Sequence, residues 1–182
     1  MADNNYFWGS KNSEPKRKYT FQLHIKGIPP FTCKTVDKPS WELGEATVSY
    51  LNHDFKYPGR IKWNDINCTF YDPQNPDVTK ALFGILQAAG YFYPSDPAQL
   101  QTVSKRRAVD ATGDIRIDQL NHEGKTIETW VLKNAWFKMN KYGTYDYTSD
   151  EAMEVEATIT YDWAQLEGGP LTIPAPIVPK LG

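Results

Sequence analysis

The segment 153–163 has the most regular alternation of apolar and polar residues in the chain. Its odd positions are all apolar, and its even positions are the polar residues Glu154, Glu156, Thr158, Thr160 and Asp162. Such alternation is typical of a β-strand with one face against the core and the other in water. At about 3.3 Å per residue, the predicted strand is roughly 36 Å long. Its polar face carries three carboxylates and no lysine or arginine, so we expect an acidic surface.

Shorter segments with the same pattern predict strands earlier in the chain. They are residues 19–25, 31–36, 45–51, 55–63, 66–70, 114–120 and 125–133. The apolar positions change phase at Asn64-Asp65, which predicts a bulge or a break between two strands. Residues 134–147 are rich in aromatics and are expected to include irregular connections. The pattern therefore predicts a mainly β protein.

The hairpin predicted at 41–62 has a polar region near its tip. Pro58-Gly59 is a turn signal inside its second arm. We therefore expect residues 52–60 to form a long, partly projecting loop rather than a tight hairpin. The charged and titratable residues of this loop are His53, Asp54, Lys56 and Arg60.

One segment has helical rather than strand periodicity. Its apolar residues are spaced as on one face of an α-helix, and they are Val78, Ala81, Leu82, Ile85, Leu86 and Ala89. Asn75 is expected to cap this helix, Pro76 to occupy its first position and Gly90 to end it. The single apolar stripe predicts a helix that lies across a sheet. Residues 91–113, with the basic run 105–107, are predicted as a loop.

The length and charge limit the possible classes of protein. The chain has 182 residues, which suits one domain with one core. Its 20 basic and 22 acidic residues leave a net charge of −2, which argues against a dedicated nucleic-acid-binding protein. No targeting signal or membrane helix is evident, so we expect a protein made and kept in a cytoplasm. Cys33 and Cys68 are then expected to be reduced, small core residues.

No motif for catalysis, metal binding or cofactor binding stands out. The three histidines are scattered and have no companion ligands at metal-binding spacing. Glu154 and Glu156 share one strand face, as a catalytic pair could, but solvated acids on an amphipathic strand are far commoner. The basic run 105–107 is interpreted as a solvated or subunit-pairing loop rather than a phosphate site. We therefore expect no enzyme, no cofactor and no metal.

Both ends of the chain differ in composition from the segment 19–166. Residues 1–18 are polar except for Tyr6-Phe7-Trp8, which is consistent with either a flexible tail or an anchoring arm. The extension 167–182 contains Pro174, Pro176 and Pro179, a composition that favours an extended, polyproline-like conformation. Apolar residues stand between these prolines, so we expect the extension to contact a neighbouring subunit through Ile173, Ile177 and Val178.

Four segments in order resemble the tail tube proteins of contractile-tailed bacteriophages. The first three are 20–25 with 31–34, the hairpin 41–65 and the basic loop 104–108. The most specific is 127–166, which contains Trp130-Val131-Leu132-Lys133-Asn134-Ala135-Trp136, then Tyr147-Thr148-Ser149-Asp150, and closes on Tyr161-Asp162-Trp163. The resemblance covers about residues 19–166.

The resemblance implies a fold of two packed antiparallel sheets, a β-sandwich or barrel, with one flanking α-helix. It also implies that six copies form a ring, and that rings stack into the inner tube of a contractile tail through which DNA leaves the virion. The implied partners are other copies of the chain, the tail sheath protein, and the baseplate and tail-terminator proteins, with transient passage of genomic DNA and no membrane anchor. The subunits would be assembled in the host cytoplasm and would end in the virion tail.

These implications give the polar segments expected roles. We expect the polar face of 153–163 to line the channel, where carboxylates would repel DNA phosphates; the main alternative is an outward position facing the sheath. The loop 52–60 is expected to contact the adjacent ring through complementary charges. Contacts between subunits are expected at Lys105, Arg106 and Arg107. The alternatives are a ring that initiates or terminates the tube, a type VI secretion tube protein, and a monomeric ligand-binding β-barrel.

Overall fold

The computed structural model describes residues 15–95 and 102–167, which form three antiparallel sheets and two helices. The helices are α1 Val78–Ala88 and α2 Lys105–Thr112. The strands are β1 Phe21–His24, β2 Cys33–Val36, β3 Trp41–Tyr50, β4 His53–Trp63, β5 Ile66–Tyr71, β6 Ile115–Leu120, β7 Thr126–Lys133, β8 Trp136–Lys141, β9 Glu154–Thr160 and β10 Trp163–Glu167. The predicted mainly β class is confirmed.

Two four-stranded sheets enclose the core, as the resemblance implied. The first sheet has the strand order β1-β6-β7-β10, and the second has the order β2-β5-β9-β8. The strand side chains between them are almost fully buried, and the largest are Phe70, Leu23, Ile66, Ile115, Leu132 and Ile159; Leu82 of α1 joins the same core. Burying such side chains contributes about 1.5 to 3 kcal/mol each, so these alternating positions hold the two sheets together.

The strand predicted at 153–163 is two strands in different sheets, so the predicted length of roughly 36 Å is wrong. β9 ends at Thr160, the chain bends at Tyr161-Asp162, and β10 then pairs with β7 in the first sheet. The neighbouring connection between β7 and β8 bends at Asn134, where φ is +55°. The Asp162 N–H donates to the Lys133 carbonyl at 3.0 Å and joins the two bends. A two-stranded ribbon therefore passes from one sheet to the other.

The structure has two helices where the sequence predicted one. α1 carries the expected apolar stripe, but Asp77 caps it instead of Asn75, and its carboxylate accepts from the Lys80 N–H at 2.8 Å. The second helix, α2, lies inside the segment predicted as a loop. Ser104 caps α2 and Gly113, with φ of +69°, follows it. Only eight residues long and largely charged, α2 has too short an apolar stripe to stand out in the sequence.

The region predicted as a long loop at 52–60 is a regular strand, so that prediction is wrong. β3 and β4 pair from Trp41↔Trp63 to Tyr50↔His53, and only Leu51 and Asn52 form the turn. The Pro58-Gly59 turn signal lies at a register shift instead, where Gly59 packs directly on the backbone of Gly44. A Cβ on Gly59 would lie 2.9 Å from the Gly44 carbonyl carbon, so this close approach requires glycine.

Candidate assembly surfaces

The hairpin of β3 and β4 forms a separate two-stranded sheet that pairs with no other strand in the described part of the chain. Every residue from 41 to 62 is exposed. A two-stranded hairpin alone is marginally stable in water at best, because it lacks a second layer to cover its apolar side. The hairpin is therefore a candidate for contact with another molecule.

The outer half of the hairpin is amphipathic. The cross-strand pairs Ala46↔Tyr57 and Val48↔Phe55, followed by Tyr50↔His53, alternate with pairs of polar residues. We call this side the outer apolar face, and its large members, 50 to 69% exposed, are Val48, Tyr50, Phe55 and Tyr57. Contiguous exposed apolar surface of this kind marks interaction sites.

The opposite side of the hairpin carries the charges that were expected to bind an adjacent ring. The Ser49 hydroxyl donates to the Asp54 carboxylate at 2.6 Å. The Lys56 ammonium lies 3.0 Å from the Glu45 carboxylate. Asp54 and Lys56 are therefore already paired within the hairpin. The other two residues of the predicted set, His53 and Arg60, lie on β4 beside the turn and beside the register shift.

The sequence contained the signal for the outer apolar face, but the register shift concealed it. In β3 the apolar residues fall at odd positions up to Leu43 and at even positions from Ala46. The pairing register shifts between Leu43 and Glu45, and the change of phase coincides with that shift. Polar residues near the tip therefore suggested a loop, although each half of the hairpin alternates regularly.

The outward face of the second sheet holds Glu154, Glu156, Thr158 and Thr160, in the alternation that the sequence predicted. The expectation that this surface is acidic is wrong, because neighbouring strands supply lysines. The Lys34 ammonium donates to Glu154, and the Lys141 ammonium lies 3.3 Å from Glu156. Contact with Glu154 also raises the pKa of Lys34.

The rest of this outward face is a network of neutral and paired groups. The Thr158 hydroxyl donates to the Asn67 amide oxygen at 3.0 Å, and the Thr160 hydroxyl donates to Asp65 at 2.9 Å. The Lys138 ammonium also donates to Asp65 at 2.7 Å and lowers the pKa of that carboxyl. The surface is therefore polar with its charges balanced locally.

Asp162 does not continue this face, because it lies at the bend between the two sheets. Its carboxylate accepts from the Lys105 ammonium at 2.7 Å and from the Asn134 amide at 2.8 Å. These two hydrogen bonds lower the pKa of Asp162. Lys105 thus holds α2 against the bend of its own subunit, whereas Arg106 is 93% exposed at its side chain. Arg107 is also exposed, in the first turn of α2.

A half-buried carboxylate, Glu128, connects β7 to the edge of the second sheet. Lys16 donates to it, and the Lys38 ammonium and the Trp130 indole N–H each donate at 2.7 Å. Burial by itself raises the pKa of Glu128, but the hydrogen bonds from Lys16, Lys38 and Trp130 outweigh it and lower the pKa to about 2. The ionised form is therefore stabilised in the folded state.

We predict that Glu128 makes the protein less stable as the pH falls from about 4.5 to about 2. Its folded-state pKa lies below the ordinary value of 4.5, so its contribution is complete above that value and is lost on protonation. Glu128→Gln should remove about 1 to 3 kcal/mol of pH-dependent stability over this window. Urea unfolding at a series of pH values measures the effect, and an unchanged slope for the variant would contradict the prediction.

Each large sheet has two unpaired edges within the described residues, β1 and β10 in the first and β2 and β8 in the second. Unpaired edge strands expose backbone donors and acceptors that can pair with another chain. The two edges of one sheet differ in sequence. A contact between one edge of a subunit and the other edge of the next subunit would therefore be head-to-tail. Repetition of such a contact generates a closed ring or a helical filament.

No feature of the described residues indicates catalysis. Cys33 is partly buried and Cys68 is buried, both as free thiols, and burial raises the pKa of Cys33 to about 12. Residues 15–95 and 102–167 contain no group of three or more His, Cys, Asp or Glu side chains placed to hold a metal ion. No helix in these ranges is long and apolar enough to cross a membrane.

The expected contacts of Ile173, Ile177 and Val178 lie outside the described residues.

No sequence-family description and no curated protein matches the chain. Solved structures of contractile assemblies do. A chain in the cryo-EM structure of the anti-feeding prophage (AFP) baseplate superposes with a TM-score of 0.63 at 13% identity, over 86% of this chain and 97% of that chain. A chain in the sheath-tube complex of an extracellular contractile injection system, PVC, in its extended state also matches. The TM-score is 0.58 at 21% identity, over 85% of this chain and 93% of that chain.

A third match is to the tube-terminating cap of the anti-feeding prophage, with a TM-score of 0.58 at 20% identity over 86% of this chain and 93% of that chain. In all three cases nearly the whole of the other chain is covered. At these identities the similarity shows the fold, which agrees with the resemblance read from the sequence. The chain therefore has the tail-tube fold found in contractile injection systems.

Proposed function

We propose that this protein is a structural subunit that polymerises as stacked hexameric rings into the inner tube of a contractile tail. Its role is to form a conduit, and it carries no enzymatic activity. The outer apolar face of the hairpin is the observation that supports this proposal most directly. Four large apolar side chains are 50 to 69% exposed there, on a sheet that pairs with no other strand among residues 15–95 and 102–167, so a partner must cover them in the working particle.

Another copy of the same chain is the partner we infer for this face. The head-to-tail edges of the two large sheets suit a closed ring, and the hairpin extends from the same subunit as a separate arm. A ring closed through its sheets removes the edges that would otherwise pair with unrelated chains. The hairpin of one ring then covers apolar surface on the adjacent ring, so that the contact expected for 52–60 is made mainly by apolar side chains.

We infer that the outward face of the second sheet lines the channel. Lys34 and Lys141 on this face already contact Glu154 and Glu156, so a passing phosphate would have to displace a carboxylate to bind them. A surface of locally balanced charges therefore resists adhesion of DNA, since phosphate contacts with lysine and arginine dominate non-specific affinity. The same surface would also let a protein cargo pass.

Electron microscopy of the purified full-length protein tests the proposal. We expect hexameric rings or tubes in negative stain, and a concentration-dependent shift to large species in sedimentation. The sample should also be mixed with baseplates from the same particle, because polymerisation that needs a seed would otherwise be missed. A protein that stays monomeric at every concentration, with and without baseplates, would contradict the proposed function.

Charge reversal tests the assignment of the channel face. We expect Glu154→Lys with Glu156→Lys to leave the rings intact but to slow or trap DNA during ejection, because four lysines would then face the channel without carboxylate partners. A control with the same change in charge is Asp110→Lys with Glu123→Lys, two exposed sites on α2 and on the β6–β7 turn. Normal ejection together with failed sheath attachment would show that this face points outward.

A terminal ring of the same tail is the second candidate. The similarity to a chain of a tube-terminating cap supports it, at nearly the same TM-score as the sheath-tube complex. The number of copies per particle separates the two roles. Many stacked rings along the tail, counted by quantitative mass spectrometry against the sheath protein, would indicate the tube subunit. A single ring per particle would indicate a terminal component.

A further inference from the structure

A cleft of about 1160 Å³ opens between the first sheet and the edge strand β2 of the second. This volume exceeds the usual range for small-molecule sites, about 300 to 1,000 Å³, and is large enough for several residues of a peptide. Aromatic side chains line it from both sides, and they are Tyr19, Phe21, Phe31, Tyr71 and Trp130. Tyr19 and Phe31 are 74% and 73% exposed, so the cleft has an uncovered aromatic surface.

Three of the five lysines and arginines that line this cleft contact carboxylates. Lys16 and Lys38 both donate to Glu128, and Lys34 donates to Glu154. An incoming phosphate or acidic peptide would have to break these contacts. The aromatic walls fit an uncharged apolar segment. Aromatic-lined grooves are the surfaces that bind proline-rich segments in the polyproline II conformation, which loses little entropy on docking.

The described chain ends beside this cleft. In the pairing of β10 with β7, Leu166 lies opposite Trp130, a residue of the cleft wall. Glu167, the last residue described, lies opposite Thr129. Partners across an antiparallel pair have Cα atoms about 4.5 to 5.5 Å apart. Glu167 therefore lies one strand spacing from β7, the strand that carries Trp130 of the aromatic wall.

The composition of this extension matches the cleft. Residues 170–181 contain four prolines, at positions 170, 174, 176 and 179, and five Leu, Ile or Val residues, but only one charged residue, Lys180. In polyproline II geometry twelve residues span about 37 Å. We propose that residues 170–181 dock as an extended proline-rich strap in the aromatic cleft of their own subunit.

Tethering is the reason for choosing the same subunit over a neighbour. The segment starts beside the cleft, so its effective concentration there is in the millimolar range set by a short linker. The same segment of another molecule is present only at the bulk concentration of the protein. The sequence by itself suggested a neighbouring subunit as the partner of Ile173, Ile177 and Val178, whereas the position of Glu167 favours the cleft next to it. This inference concerns the unassembled subunit, because the cleft wall includes β1 and β2, the sheet edges that the proposed ring would cover.

Disulfide trapping in the full-length chain tests the proposal. Thr35 is exposed on β2 and lines the cleft, and Ala175 lies between two prolines of the strap. We expect Thr35→Cys with Ala175→Cys, in a Cys33→Ser background, to form an intrachain disulfide under mild oxidation, detected by peptide mass mapping. The matched control, Thr47→Cys with Ala175→Cys, places the first thiol on the hairpin and should cross-link about tenfold less, as expected for a site less favourable by about 1.4 kcal/mol.

Substitution in the aromatic wall provides a second readout. Phe31→Asp, added to the Thr35→Cys and Ala175→Cys pair, should lower the yield of the disulfide about tenfold. Because Phe31 is mostly exposed, the urea midpoint of the protein should change little, so the loss of cross-linking reports on docking rather than on unfolding.

Two further cross-linking experiments test for other occupants of the cleft. Mixing the Thr35→Cys chain with the Ala175→Cys chain traps only contacts between molecules. A cross-link that forms in this mixture but not within the double variant would overturn the proposal in favour of exchange between subunits. Trp8→Cys with Thr35→Cys probes the segment before residue 15. Efficient cross-linking of Trp8→Cys, with none at Ala175→Cys, would show that the other end of the chain fills the cleft.

Discussion

Replacing Val48 and Phe55 by aspartate is expected to abolish assembly of the protein while each subunit remains folded. These residues form one cross-strand pair on the outer apolar face and are 55% and 50% exposed. Because each is about half exposed, covering the two side chains at an interface contributes about 1.5 to 3 kcal/mol. Aspartate removes this contribution and adds the cost of burying a charge. The affinity of each contact should fall by at least about a hundredfold.

Sedimentation and negative-stain microscopy measure this effect, and circular dichroism checks the fold of the variant. Thr47→Asp is the matched control, since Thr47 is next to Val48 in β3 but points to the opposite side of the hairpin. The control should assemble like the unmodified protein. Normal tubes from the Val48→Asp and Phe55→Asp double variant would show that the outer apolar face is not an assembly surface.

Replacing Ile159 by alanine is expected to cost about 2 to 5 kcal/mol of unfolding free energy. Ile159 is completely buried in β9, between β5 and β8, and its removal leaves a cavity between the two sheets. A domain of this size has a total stability of only about 5 to 15 kcal/mol, so the loss is a large fraction of it. Urea denaturation of the unassembled protein measures the change.

Glu156→Ala is the control for this prediction, because Glu156 lies on the outward face of the same strand. Its ion pair with Lys141 is more than half exposed on both sides, and such pairs contribute about 0 to 1 kcal/mol. The two substitutions should therefore differ by more than 1 kcal/mol. Equal effects would mean that the inward and outward faces of β9 are assigned incorrectly.

Local patterns were sufficient to predict the strands, because each strand has one face in the core and one in water. The alternation in 153–163 predicted that Val155, Ala157 and Ile159 point inward, and all three are buried. The phase change at Asn64-Asp65 predicted the boundary between β4 and β5, which belong to different sheets. Burial of alternate side chains is a property of the strand itself, so it is visible without the partner strands.

The sequence pattern did not show which strands pair with one another. The alternation runs unbroken through Tyr161-Asp162, although the chain there leaves the second sheet for the first. Burial changes phase at this bend: odd positions are buried up to Tyr161, whereas in β10 Trp163 is 48% exposed and the even positions Ala164 and Leu166 are half-buried. The bend is instead set by the pairing of β10 with β7 and by the contacts of Asp162 with Lys105 and Asn134.

Charge on the outward face of the second sheet was also decided by the tertiary structure. A single strand carries Glu154 and Glu156, but the lysines that neutralise them come from β2 and β8, 120 and 15 residues away in the chain. The sequence therefore determined which residues face the core, where the polar face of β9 lies and how α1 is oriented, because these depend on local periodicity. Strand partners, the bend at Asp162, the register shift in the hairpin and the balance of surface charge depend on which distant segments meet, and only the folded arrangement of the sheets decides that.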